Sequence, residues 1–205
     1  MNSERGRRMP RGRGRWTRIL ASILTGGLAA IAPAAASILV VAPHPDDDVA
    51  SCSGIVARAA ARGESVRVVF LTNGDYLGVD SGLQRENEAV DAMVGYLGQT
   101  EDNLLFLGYP DAGLRELYDS ATSSSDLFTG VNGRTTTYAA RGLGRTDYHT
   151  YAHGSPAPYN RPAIVADLAE IIGGYLPDHI FVTSVWDSHG DHSTAYLLLR
   201  DALDV

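Results

Sequence analysis

Lysine is absent from the 205 residues, so all 17 basic side chains are arginine, and cysteine occurs once, as Cys52. A lone cysteine excludes an intrachain disulfide and leaves the redox compartment open. No Gly-x-Ser-x-Gly segment occurs, which removes the serine-hydrolase elbow. Positive charge is scarce beyond the first 18 positions, because Arg5, Arg7, Arg8, Arg11, Arg13, Arg15 and Arg18 lie there with a single acid, Glu4. The rest carries 10 basic and 23 acidic residues, a balance of −13. Phosphate contacts need clustered cations, so nucleic acid is excluded as a partner. No internal repeat is evident, and the length suits one domain able to bury a core without disulfide staples.

The arginine arm runs into an apolar stretch, Ile19 to Ala36, that ends in Ala34-Ala35-Ala36. Charged, then apolar, then small residues is the order of a signal peptide. The spacing predicts residues 1–36 as an export segment cleaved after Ala36, and a secreted or cell-envelope location for 37–205. A retained anchor is the alternative. The run is rich in alanine and glycine, contains Pro33, and is marginal against the roughly 20 apolar residues that span a bilayer, so no stable span is expected after cleavage.

The expected mature chain opens with the β-branched, apolar run Ser37 to Ala42, suited to a strand buried on both faces. A helix follows over Val49 to Arg62, with Asp47 or Asp48 as its N-cap and Gly63 as its stop. Val66 to Leu71 is a second buried strand and completes a βαβ unit. Further elements are predicted as a helix at 83–97, a strand at 104–107, a helix at 163–173, a strand at 179–183 and a helix at 194–203. Strands alternating with helices indicate an α/β fold with a doubly wound, mostly parallel sheet, whose ligands sit beyond the carboxyl ends of the strands. Residues 113–162 lack sustained periodicity but hold five of the ten tyrosines, and read as a partly ordered lid.

Two clusters carry chemistry. The first strand runs directly into His44-Pro45-Asp46-Asp47-Asp48, one imidazole beside three carboxylates. Like charges so close raise one another's pKa unless a cation compensates. Helix capping accounts for one acid, worth roughly 1 kcal/mol, but not for three acids and a histidine held between prolines. One aspartate is expected both to cap and to ligate. The second cluster, Trp186-Asp187-Ser188-His189-Gly190-Asp191-His192, follows the 179–183 strand and so reaches the same sheet edge. Histidine, histidine and aspartate suit zinc and leave a fourth position open for water.

These residues resemble the PIG-L/LmbE-like zinc N-deacetylases. The family pattern of an apolar strand entering Ala-His-Pro-Asp-Asp stands here as Ala42-Pro43-His44-Pro45-Asp46-Asp47, and its His-Pro-Asp-His as His189-Gly190-Asp191-His192. Weaker similarity lies in Thr72-Asn73-Gly74, Arg85-Glu86 and Leu107-Gly108-Tyr109-Pro110-Asp111, so that the likeness covers nearly all of 37–203. The resemblance implies a Rossmann-like fold and one Zn2+ per chain held by His44, Asp47 and His192. It implies Asp46 as general base toward a zinc-activated water, and His189 as oxyanion stabiliser or proton donor to the leaving amine. Arg85 and Asp111 correspond to substrate-contacting positions, and Asp191 to a group that orients a histidine ligand. The implied reaction is removal of an acetyl group from an N-acetylated sugar of the N-acetylglucosamine type, free or in an oligosaccharide. Gly190 stands where the family has proline, a replacement expected to loosen this loop. The resemblance is expected to run beyond the last helix, which makes the domain a C-terminally shortened one.

Other readings compete. Cys52 is expected to be core packing. His149 and His153 read as exposed histidines of the lid, His179 as structural, and the lid tyrosines as sugar-stacking or loop anchors. A magnesium phosphatase would use Asp46 and Asp48, but the histidines would then lack a role because magnesium prefers oxygen. An exported carbohydrate-binding module without turnover would not need Asp46.

Overall fold

The computed structural model describes residues 35–205, so the predicted export segment lies outside the described residues except for its last two. Four strands form one sheet: β1 (Ser37–Ala42), β2 (Ser65–Thr72), β3 (Leu104–Tyr109) and β4 (His179–Val182). Their spatial order is β3-β2-β1-β4, and every pairing among them is parallel. The expected doubly wound layer is present.

Alternation along the strands builds two cores. Leu39, Val41, Val69, Leu71, Leu105 and Leu107 face α3 (Leu114–Ser120), α5 (Arg161–Tyr175) and α6 (Gly190–Leu203). Ile38, Val40, Val68, Phe70, Leu104 and Phe106 face α1 (Asp47–Arg62) and α2 (Val79–Gly95). Strands with apolar groups on both sides require cover on both sides. Cys52 joins Val56 and Ala59 on the buried face of α1, which is its predicted packing role.

The capping expectation is corrected. The N-cap of α1 is Asp46, not Asp47 or Asp48, and no side chain makes a capping bond there. The backbone carbonyl of Asp46 accepts from Val49 and Ala50 at 3.1 and 2.8 Å, while the carboxylates of Asp46 and Asp47 bond elsewhere, to Arg85 and His44. At the other end Gly63 turns left-handed, φ 67°, and its N–H closes on the carbonyls of Ala59 and Ala60, as its position predicted. α6 begins at Gly190 rather than Thr194, with His189 as N-cap, so Asp191 and His192 ride on its first turn.

Residues 113–162 are structured. They contain α3 and α4 (Tyr148–His153), with a bridge between Thr136 and Pro158. Tyr118, Tyr148 and Tyr159 are buried in the core, so these tyrosines anchor the segment. Side-chain bonds to backbone, which leave no periodic trace in sequence, fix the remainder: Tyr159 OH donates to the Gly108 carbonyl at 3.1 Å, and Glu86 Oε2 accepts from the Ala140 N–H at 2.8 Å.

Candidate metal centre and its cleft

The chain leaves β1 through α1 toward β2, and returns from β3 through α5 to β4 on the other side of β1. The strand order reverses between β1 and β4, and a crevice opens beyond the carboxyl ends of strands at such a point. The 44–48 and 187–192 clusters follow these two strands. The turn after β1 is pinned because the Pro43 carbonyl accepts from both the N–H and the hydroxyl of Thr72, at 3.0 and 2.9 Å.

His44 is buried at the base of the cleft. Its Nδ1 lies 3.1 Å from Asp47 Oδ2, and its Nε2 lies 3.1 Å from Asp111 Oδ1 and 3.2 Å from Asp191 Oδ2. Burial opposes charge on this imidazole, yet the hydrogen bonds to Asp111, Asp191 and Asp47 outweigh it and push its pKa up to about 11. Burial raises the carboxyls of Asp47 and Asp111, and the bond from His44 overrides it and holds both below their ordinary range. Such a ring of carboxylates demands positive charge at its centre.

Asp191 has both oxygens occupied, by the N–H groups of Ala112 (2.7 Å) and Leu114 (3.0 Å), besides touching His44. Ala112 takes a left-handed φ of 56° to make its bond. Asp191 therefore touches His44 Nε2 with an oxygen that the backbone also holds. Asp111 faces the cleft but holds His44 directly, a contact not anticipated for a substrate-binding position.

His192 is held from behind by Asp187, whose Oδ2 lies 3.0 Å from Nδ1, leaving Nε2 3.4 Å from Asp47 Oδ2. Asp187 Oδ1 also accepts from the His189 N–H at 2.9 Å. This pair of hydrogen bonds counters the loosening expected from Gly190, whose backbone is ordinary first-turn helix. The exposed His189 imidazole makes no hydrogen bond among the described residues, and its centroid is 5.0 Å from that of His44 and 4.6 Å from that of His192.

Arg85 Nη2 is 2.8 Å from Asp46 Oδ2 at the rim. The arginine lies over Gly74, φ 68°, where a Cβ would stand 2.7 Å from its side chain. Asp48, by contrast, is fully enclosed, and neither of its oxygens has a hydrogen bond of normal geometry. Burial pushes its carboxyl up to about 6. Asp46 and Asp48 thus point into different environments and do not form the pair a magnesium phosphatase needs.

The cleft encloses about 500 Å³ and is lined by His44, Asp46, Asp47, Tyr76, Arg85, Asp111, Ala112, His189 and His192. Every predicted site residue except Asp191 lines it, and Asp191 sits behind. No residue of 113–162 does; of the five tyrosines of that segment Tyr118, Tyr148 and Tyr159 belong to the core, Tyr138 bonds to Asp75, and Tyr151 is exposed. Sequence reasoning gave no role to Asp187, Tyr76 or Asp75. Buried Asp75 accepts from the Asp111 N–H (3.1 Å), from Tyr138 OH (2.7 Å) and from Asn132 Nδ2, and so fixes the loop that carries Asp111. Its one signal was position, directly after Thr72-Asn73-Gly74.

The donor set fits zinc. Bonds of about 2.0–2.1 Å in a tetrahedron place neighbouring ligand atoms about 3.3 Å apart, and Asp47 Oδ2 lies 3.1 and 3.4 Å from the nearest nitrogens of His44 and His192. His44, His189 and His192 also bring one nitrogen each within 4.8 Å of one another, as do His44, Asp46 and Asp47 with one donor atom apiece.

Fold and cleft together define an α/β protein with a histidine–carboxylate, cation-seeking centre at its switch point. The chain belongs to the PIG-L family (GlcNAc-PI de-N-acetylase), which matches residues 39–203. A search of curated proteins finds no match. Among solved structures the chain is similar to the conserved protein TT1542 from Thermus thermophilus, with 27% identity, 82% of this chain and 56% of that one covered, and a TM-score of 0.54. It is also similar to N,N'-diacetylchitobiose deacetylase from Pyrococcus horikoshii, with 21% identity, coverage of 83% and 50%, and a TM-score of 0.54. A deacetylase in the biosynthesis pathway of teicoplanin gives 19% identity, coverage of 82% and 64%, and a TM-score of 0.50. The last two likenesses are of fold. This chain spans about half the length of the first two.

Proposed function

We propose that the chain is a zinc-dependent N-deacetylase that removes the acetyl group from an N-acetylated sugar of the N-acetylglucosamine type. One observation carries this reading: a single carboxylate oxygen of Asp47 lies between the imidazoles of His44 and His192, 3.1 and 3.4 Å from their nearest nitrogens, in a cleft that also presents Asp46 and His189. Family membership and the deacetylase names of two structural neighbours support it.

His44, Asp47 and His192 are assigned as the ligands. His189 is left free because Asp47 meets both other imidazoles and brings negative charge, whereas the His189 ring is exposed. A zinc ion held there lowers the pKa of water to about 7 and polarises a carbonyl. Asp46, exposed and aimed by Arg85, accepts the proton of the attacking water. His189 hydrogen-bonds the developing oxyanion or protonates the departing amine. Arg85 and Tyr76 meet the sugar, and Asp111 faces it while holding His44. A cleft of this volume is of small-molecule size.

The arginine arm followed by apolar residues supports export as the location of this activity. No helix among the described residues is long and apolar enough to cross a membrane. The decisive experiment is acetate release from a panel of N-acetylated mono- and oligosaccharides. Turnover abolished by a chelator and restored by zinc is the expected result. Binding of these sugars without acetate release at any metal loading would sink the proposal in favour of a binding module.

A further inference from the structure

A second group of nitrogen and oxygen donors lies between α4 and α5 and shares no residue with the cleft. His149 and His153 stand one turn apart on α4, with ring centroids 4.5 Å apart, and face Asp167 and Glu170, one turn apart on α5. His149 Nδ1 is 2.7 Å from Asp167 Oδ1, and His153 Nε2 is 2.9 Å from Glu170 Oε2. His149, His153 and Asp167 each bring one donor atom within 4.8 Å of the other two. His153 is exposed as expected, whereas His149 is partly buried, and both stand on a helix rather than an irregular loop.

Two features distinguish this cluster from ordinary surface ion pairs. Asp167 is only 1% exposed, and its second oxygen accepts from the hydroxyl of fully buried Tyr109 at 3.0 Å. A carboxylate so enclosed needs strong cationic compensation. The second feature is α4 itself, six residues long and too short to persist by its own hydrogen bonds. It is nonetheless well fixed, with Asp147 Oδ1 accepting from the Thr150 N–H at 3.0 Å and Tyr148 buried in the core. Side chains at i and i+4 share a helix face, so both imidazoles turn toward α5 together.

We propose that His149, His153 and Asp167, with Glu170 at the rim, form a second site for a divalent cation of the zinc class. Mixed imidazole and carboxylate donors suit zinc and disfavour magnesium or calcium, which prefer oxygen. The ion's role is structural: it fastens the middle of the 113–162 segment to α5. This inference stands whether or not the cleft turns over substrate.

The test uses the full chain carrying His44→Ala and His192→Ala, so that the cleft no longer competes for metal. After chelator treatment the protein is titrated with Zn2+ alone at about pH 7.5, followed by native mass spectrometry, calorimetry and thermal unfolding. One bound zinc per chain and a rise in Tm with added zinc are expected. Adding His153→Gln, at an exposed position, should weaken zinc binding by about tenfold or more. Adding both His149→Gln and His153→Gln should abolish the binding and the Tm rise, whereas His179→Gln should change neither. Absence of zinc from the His44→Ala/His192→Ala chain, or affinity indifferent to replacement of His153, overturns the proposal. Should the His149→Gln/His153→Gln chain fail to fold, the His153→Gln result alone decides.

Discussion

Asp47 Oδ2 lies 3.4 Å from His192 Nε2, joining the start of the first helix to the first turn of the last. The same oxygen is 3.1 Å from His44 Nδ1 and 3.0 Å from the His44 backbone N–H. One carboxylate therefore unites both clusters, and its neighbour Asp46, turned outward to Arg85, is free of that duty.

This division of labour separates two substitutions. Asp46→Ala should retain zinc but lose turnover by about 10²–10⁴-fold, the usual range for a general base. Asp47→Ala should lose both. Zinc content by atomic emission beside acetate release checks the pair, and equal zinc in both variants would count against the separate roles.

On the proposed assignment of His192 as a zinc ligand, Asp187 would act on the ion through His192. Asp187→Ala removes the group that holds Nδ1 and the N–H of His189, so zinc affinity should fall about 10–100-fold. The carboxylate is substantially exposed, so Tm in the presence of chelator should move little. Competition with a chromophoric chelator measures the affinity, and an unchanged value would show that the loop is held by other contacts.

Gly74 and Arg85 should behave as a unit. Gly74→Ala places a Cβ at φ 68° and within 2.7 Å of the arginine side chain, costing roughly 1–2 kcal/mol for the backbone alone. Because Arg85 aims Asp46, both Gly74→Ala and Arg85→Ala should reduce kcat, on the order of 100-fold for a displacement near 1 Å. Only the glycine variant should also lose Tm. Full activity in Gly74→Ala would mean that Arg85 has room to move without consequence.

Glu86 gives the fold a pH dependence of predictable sign. Burial pushes its carboxyl from 4.5 up to about 7, despite the Ala140 N–H on Oε2. The folded state thus binds the proton more tightly than the unfolded chain does. The penalty is absent below about pH 4.5, grows as pH rises and is complete above about pH 7, reaching at most about 3 kcal/mol. Glu86→Gln should flatten this component: its Tm relative to wild type should improve between pH 4.5 and 8. A constant difference across that window would rule out titration at this residue.

The parallel sheet was legible because strands buried on both faces leave continuous apolar runs, as in Ser37–Ala42 and Val66–Leu71, with Gly63 between them stopping a helix. The 44–48 and 189–192 clusters were legible because residues that need a cation are conspicuous when they adjoin, and each follows a predicted strand. The sequence of 113–162 was opaque for a definite reason. Its order comes from side-chain bonds to backbone and from single buried tyrosines, which have no period.

Local spacing thus determined the layer, its direction and which residues gather at its carboxyl edge. Only the tertiary structure decided how the acids were shared out: Asp47 to the imidazoles, Asp46 to Arg85, Asp48 to burial, and Asp191 and Asp111 to Nε2 of His44. Adjacent carboxylates are chemically identical in a sequence, and what distinguishes them is the partner that folding brings to each.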